Sequence, residues 1–155
     1  MTSQLEQRQI VSLGLRECWD FFSDPRNLAR ITPPALKFRI KHSLPERIYS
    51  GLRIEYTVSP LFSIPLTWVS EIMEVEAPHF FADEQRVGPY RFWRHEHFFR
   101  TLPDGRTEVR DLVTYIPPFG PFGAILNRFL IRPQLERIFD YRAARLPGAD
   151  GQSLA

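Results

Sequence analysis

Two histidines stand two residues apart in the stretch FWRHEHFFR, residues 92–100. Side chains alternate faces along a β-strand, so Trp93, His95, His97 and Phe99 share one face, while Phe92, Arg94, Glu96, Phe98 and Arg100 share the other. The histidine face carries no formal charge when its imidazoles are neutral, so it is expected to point inward. Further on, TEVRDLVTYI places Val109, Asp111, Val113 and Tyr115 on one face of a second strand. The Asp104-Gly105 pair between them has the chemistry of a tight hairpin turn, and folding about it brings His97 beside Asp111 or Val109. Two imidazoles, a carboxylate and a phenol on one inward surface must be hydrogen bonded, to one another or to something held there. A His–Asp pair can serve as a general base, can orient the polar end of an apolar ligand, or can fix strand register as a satisfied network.

A His-x-His pair on a strand also puts two imidazoles on one side for a metal ion. The acidic ligand that would follow four or five residues on is missing, since Thr101 and Leu102 stand there. Asp111 is the one residue that could be recruited, and no metal or other cofactor is expected. The segment FADEQ sets Phe81, Asp83 and Gln85 on one face. Asp83 either reaches the same interior or simply ends its strand. Trp68, Ser70 and Ile72 also share a face, expected to be inward. No G-x-S-x-G nucleophile elbow and no phosphate-binding glycine loop occurs. Cys18 falls on the apolar side of a helix and reads as a buried, inert thiol.

The elements that must position these groups follow from periodicity. QLEQRQIVSL (4–13) reads as a first strand, and LRECWDFF repeats apolar residues at helical spacing. Asp24-Pro25 caps and opens a second short helix that ends at TPP, 32–34. ALKFRIKHS and GLRIEYTVSP alternate as half-buried strands, followed by IPLTWVSEIMEVE, HFFADEQ and the two strands already described. PPFGPFG (117–123) is a rigid bend or a lid, and from Phe122 to about Leu146 the pattern is helical, with Pro133 expected to kink it. The order is strand, two short helices, an antiparallel run of strands and a long last helix. One domain over 1–146 is expected, with 147–155 an unstructured tail.

The chain has 155 residues and a net charge of +2, so composition makes no electrostatic case for nucleic acid. No apolar run is long enough to span a membrane. A single cysteine excludes an internal disulfide and fits a reducing cytoplasm. Thirteen phenylalanines supply either a thick core or the wall of an apolar pocket.

This order of elements, together with DPRNLARITPP, FADEQRVGPYRFWRHEHFF, TEVRDLVTYIPPFGPFG and IFDYR, resembles the START-like or SRPBCC superfamily, and most of all its bacterial ligand-binding SRPBCC group. The resemblance implies an α+β helix-grip fold, a curved antiparallel sheet wrapped around the last helix, with a cavity between them. It implies a hydrophobic small molecule, lipid- or polyketide-like, as the binding partner. Relatives include cyclases and dehydratases, so a His–Asp base formed by His95 or His97 with Asp111 is the enzymatic alternative. A protein-interaction module with a filled core is a third. The expected wall comprises Trp68, Phe81, Asp83, Trp93, His95, His97, Phe99, Asp111 and Tyr115 from the sheet. Phe119, Phe122 and Leu126 are expected to join it from the bend and last helix.

Overall fold

The computed structural model describes residues 1–60 and 62–154. Strand β1 (Ser3–Val11) is followed by helix α1 (Leu15–Phe22) and a 3₁₀ segment, Pro25–Ile31. The Asp24 carboxylate accepts the Arg26 backbone N–H at 3.0 Å, capping that segment as the Asp-Pro pair predicts. A meander follows: β2 (Arg39–Ile40), β3 (Arg53–Val58), β4 (Leu66–Glu76), β5 (Phe80–Val87), β6 (Phe92–Thr101) and β7 (Thr107–Ile116). The chain closes with α2 (Gly123–Leu126), a π-helical turn at Asn127–Ile131, α3 (Arg132–Arg145) and β8 (Ala149–Leu154). All eight strands form one antiparallel sheet in the order β2-β3-β4-β5-β6-β7-β1-β8.

Alternation sets the faces. Along β6 the buried residues are Trp93, His95, His97 and Phe99, and the solvent face is dominated by ions, as in the Arg94 pairs with Glu74 and Glu84. Register shifts in the β4–β5 pairing, between Val69 and Ser70 and between Ile72 and Val75, let the sheet curve. One apolar cluster packs α1 on the sheet through Trp19, Ile72, Phe81, Phe99 and Val109. A second packs the last helix on it through Ile131, Leu135 and Phe139 against Trp68, Trp93 and Val113. The concave face between the two clusters is where the sheet and helix stand apart.

Two expectations, on residues 35–43 and on the tail, need correction. Residues 35–43 do not form one strand: Pro34–Leu36 is a 3₁₀ turn, Lys37 is left-handed at φ 50°, and only Arg39–Ile40 pair with β3. Pro33-Pro34 imposes a turn that alternation alone does not reveal. Where a kink at Pro133 is expected, the helical run from Gly123 to Arg145 leaves regular α geometry in the π turn Asn127–Ile131, directly before the proline. The tail expected to be unstructured instead turns back at Gly148 (φ 69°), and β8 pairs along β1, whose outer edge would otherwise leave backbone groups unpaired. The last residue of that tail, 155, lies outside the described residues.

Candidate functional site

β6 and β7 pair with His97 directly opposite Asp111 and His95 opposite Val113. On the other side of β6, His97 stands next to Phe81 and His95 next to Asp83 in the β5 register. These two registers assemble the polar cluster. His95 Nε2 lies 2.8 Å from Asp111 Oδ1, and His97 Nε2 lies 3.2 Å from Asp83 Oδ2. An ionised carboxylate can only accept, so each Nε2 carries the proton and donates. His97 Nδ1 is 3.1 Å from the same Asp111 oxygen but points off its line. That contact is electrostatic, and the nitrogen has no hydrogen-bond partner. The rings of His95 and His97 are 3.8 Å apart, and Phe81 stacks on His97 at 4.0 Å.

Only 4% of His95 and 3% of His97 is exposed, so the charge of this cluster is set by neighbours rather than by water. Burial, and then the adjacent His97, push the His95 imidazole down to about 4, which keeps it neutral at pH 7. Burial also opposes charge on His97, but the Asp111 and Asp83 carboxylates at its two nitrogens outweigh it and raise its pKa. Burial opposes ionisation of Asp111 too, yet the two imidazoles hold its carboxyl well below the usual range. Within the cluster His97 is thus the imidazole whose charged form its neighbours favour, and His95 the one held neutral at pH 7.

Above the cluster lies a cavity of about 670 Å³ between the sheet and α3. Trp68, Phe81, Trp93, Leu126, Ile131, Leu135 and Phe139 make much of its wall, and Asp83, His95 and His97 form a polar patch in it. Next to the patch, the Trp68 indole N–H donates to Ser70 Oγ at 3.0 Å, and the Tyr56 hydroxyl is 3.4 Å from the same oxygen. Arg142 of α3 also lines the cavity, with its guanidinium 5.4 Å from the Phe139 ring. The mouth is bordered by the 59–65 loop, held to α3 where the Gln134 amide donates to the Pro60 carbonyl, and by the bend at Pro118 and Phe119. Gly123 serves that bend by close approach, since a Cβ there would lie 2.6 Å from the Pro118 carbonyl oxygen. Phe119 both turns the chain (φ 70°) and borders the mouth, so the bend and the covering role coincide.

Of the twelve residues expected to line a cavity, Trp68, Phe81, Asp83, Trp93, His95, His97, Phe119 and Leu126 do. Four do not. Phe99 lies under α1, against Phe22 at 5.0 Å. Asp111 sits behind the histidines. Tyr115 is fully buried and its hydroxyl donates to Asn127 Oδ1 at 2.7 Å. Phe122 is 75% exposed on the outside of the helix. Sequence reasoning missed Tyr56, whose alternation in β3 signals an inward ring, and Arg142, which follows Leu135, Ile138 and Phe139 at helical spacing. Asp83 joins the cluster instead of ending its strand, because β5 continues to Val87. With His95 and His97 it offers three donor atoms within 4.8 Å of one another, the set that could hold a metal ion.

No protein-family model and no curated protein matches the sequence. Solved structures do match. A norcoclaurine synthase point mutant from Thalictrum, in complex with a transition-state analogue, is 13% identical at a TM-score of 0.68, with 92% of each chain covered. The Thalictrum flavum enzyme in complex with dopamine and hydroxybenzaldehyde is 14% identical at a TM-score of 0.67, covering 92% of this chain and 84% of that one. Ara h 8.0201 is 10% identical at a TM-score of 0.62, covering 92% and 95%. At these identities the likeness establishes the fold alone: an antiparallel sheet gripping a long C-terminal helix, the helix-grip architecture. Among the described residues no helix is long and apolar enough to cross a membrane.

Proposed function

We propose that this helix-grip chain binds a small aromatic or otherwise apolar molecule between its sheet and α3, with one polar substituent of the ligand on the Asp83–His97 patch, and without chemistry. The observation that carries this reading is the 670 Å³ cavity whose largely apolar wall holds the Asp83–His97 pair. Its volume falls in the range of roughly 300–1,000 Å³ typical of small-molecule sites. Aromatic walls supply affinity, and the few polar groups supply orientation. A solved structure of the same fold holds dopamine and hydroxybenzaldehyde, both aromatic rings with polar substituents, which supports this ligand class. The lone buried Cys18, whose thiol burial pushes up to about 11, suits a reducing cytoplasm as the place of action.

The runner-up is a cyclase- or dehydratase-like enzyme. The Asp83–His97–Asp111 chain favours it, since an imidazole held between two carboxylates at a cavity wall can pass a proton. No nucleophile or oxyanion donor pair accompanies it among the described residues, so binding alone is the simpler reading. An interaction module with a filled core is disfavoured by the size of the cavity. Native mass spectrometry of the protein as purified, beside a fluorescence titration with N-phenyl-1-naphthylamine, tests the reading. A co-purified small molecule or saturable uptake of one probe per chain supports it. A chain that carries nothing and leaves the probe dark rejects it.

A further inference from the structure

The mouth of the cavity opens in a surface that does not suit water. Phe62, 91% exposed, and Phe119, 70% exposed, border the opening, and Phe122 and Phe129 are exposed on the segment that follows Phe119. Phe122 just before α2, Ile125 on it and Phe129 on the π turn are exposed, while Leu126 and Ile131 of the same segment face the cavity. A helix apolar on both faces is a feature of segments with a second apolar neighbour.

The charge around this surface is one-sided. Four stretches that line the cavity hold no Asp or Glu between Asp24 and Glu46, Glu55 and Glu71, Glu84 and Glu96, and Asp111 and Glu136, and Asp24, which lines it at the edge of the first, is paired with Arg26. Exposed cations stand in three of them. Lys37 follows Leu36, whose carbonyl accepts the Ser59 N–H of the mouth loop. Arg91 is joined through its backbone N–H to Ile116, just before the bend. Arg128 lies over the Phe129 ring at 5.4 Å. Among the described residues none of these three has a carboxylate partner, whereas Arg26, Lys41 and Arg94 are each paired.

We infer that the rim of the cavity docks on an anionic lipid surface. Protruding phenylalanines enter the headgroup–acyl boundary while unpaired cations meet lipid phosphates, the two attractions that hold peripheral proteins at membranes. Docking of this kind needs no spanning helix. It sets the mouth against the acyl region, so that an apolar ligand passes between bilayer and cavity without crossing water.

The test is vesicle flotation with the full chain. Vesicles of phosphatidylcholine alone are compared with vesicles of equal parts phosphatidylcholine and phosphatidylglycerol. The protein should float with the anionic vesicles and lose most of that binding at high salt or on phosphatidylcholine alone. Phe122→Ser with Phe129→Ser, and separately Arg91→Ala with Arg128→Ala, should each weaken it by more than about tenfold. All four side chains are exposed and outside the cavity wall, so melting temperature and naphthylamine uptake should stay unchanged. That separation keeps this inference distinct from the ligand reading. Absence of flotation by the unaltered protein overturns it, and so does undiminished flotation of the Phe122/Phe129 variant. A concentration-dependent dimer that the same serine substitutions convert to monomer would assign the surface to a second copy of the chain and also overturn it.

Discussion

His95 on β6 donates through Nε2 to Asp111 on β7 at 2.8 Å, two residues off its direct partner Val113, and the same carboxylate oxygen lies 3.1 Å from His97 Nδ1. One carboxylate thus serves two buried imidazoles. Asp111→Ala leaves the His95 N–H without an acceptor and should cost about 1–3 kcal/mol. Asp111→Asn keeps an acceptor and should cost less. Chemical denaturation checks both, and an unchanged midpoint for the alanine variant would remove the cluster from the account of stability.

The pH dependence follows from the directions of three shifts. His95 is lowered from an ordinary 6.5 to about 4, so the unfolded chain takes its proton more readily and stability is lost as pH falls from 6.5 toward 4. Asp111 is held below its ordinary 3.8, so its contribution is complete above that value and is lost as pH falls further. His97 is raised, so its contribution is complete below 6.5 and is lost as pH rises through its folded value. Stability should peak near pH 6.5 and fall on both sides. His95→Gln should flatten the slope between 6.5 and 4, and Asp111→Asn the slope below 3.8. Melting temperatures across pH measure this, and identical acid limbs in all three proteins would contradict it.

Two phenylalanines should respond in opposite ways. Phe139 is buried beneath α3 against His95, so Phe139→Ala should destabilise by about 3–5 kcal/mol. Phe119 is exposed and left-handed, a conformation that costs an L-residue about 1–2 kcal/mol, partly offset in glycine by greater chain entropy. Phe119→Gly should leave stability unchanged or raise it by up to about 1 kcal/mol. A large loss on that change, read by thermal melting, would mean that the ring is held by packing.

The strand faces were legible because period two is a strong signal: the inward set of Trp93, His95, His97 and Phe99 follows from sequence alone. The Asp-Gly turn narrowed the partner of His97 to Asp111 or Val109, and the hairpin register selects Asp111. Asp83 was harder, since its place beside the histidines depends on pairing of β5 with β6, which no tight turn announces: the connection runs through Gly88–Arg91. Phe122 shows a different limit. Apolar residues on a helix are ordinarily read as inward, and a helix with apolar residues on both faces defeats that rule. Arg142 shares the helical spacing of Leu135, Ile138 and Phe139, but a long side chain can bury its stem with its head either in solvent or in a cavity.

The donor set of Asp83, His95 and His97 invites a metal assay. Each of its Nε2 atoms already has a carboxylate partner, and those hydrogen bonds compete with an ion. Untagged protein purified without chelator should contain no stoichiometric zinc, iron or manganese by elemental analysis, and added zinc should not raise the melting temperature. A stoichiometric ion that His97→Phe abolishes would reverse this expectation.

The central claim is that the cavity takes an aromatic ring and that the Asp83–His97 patch reads its polar substituent. Displacement of N-phenyl-1-naphthylamine by 2-naphthol and by naphthalene, measured on the unaltered chain and on His97→Phe, tests it most directly. The phenylalanine variant should still fold, because the ring it replaces is already stacked on Phe81. The unaltered protein should favour 2-naphthol, and the variant should lose about 10–100-fold of that preference, the worth of a hydrogen bond to a charged group, while still binding naphthalene. Equal displacement of the probe by both compounds on the unaltered protein, or a preference that survives in His97→Phe, would contradict the account.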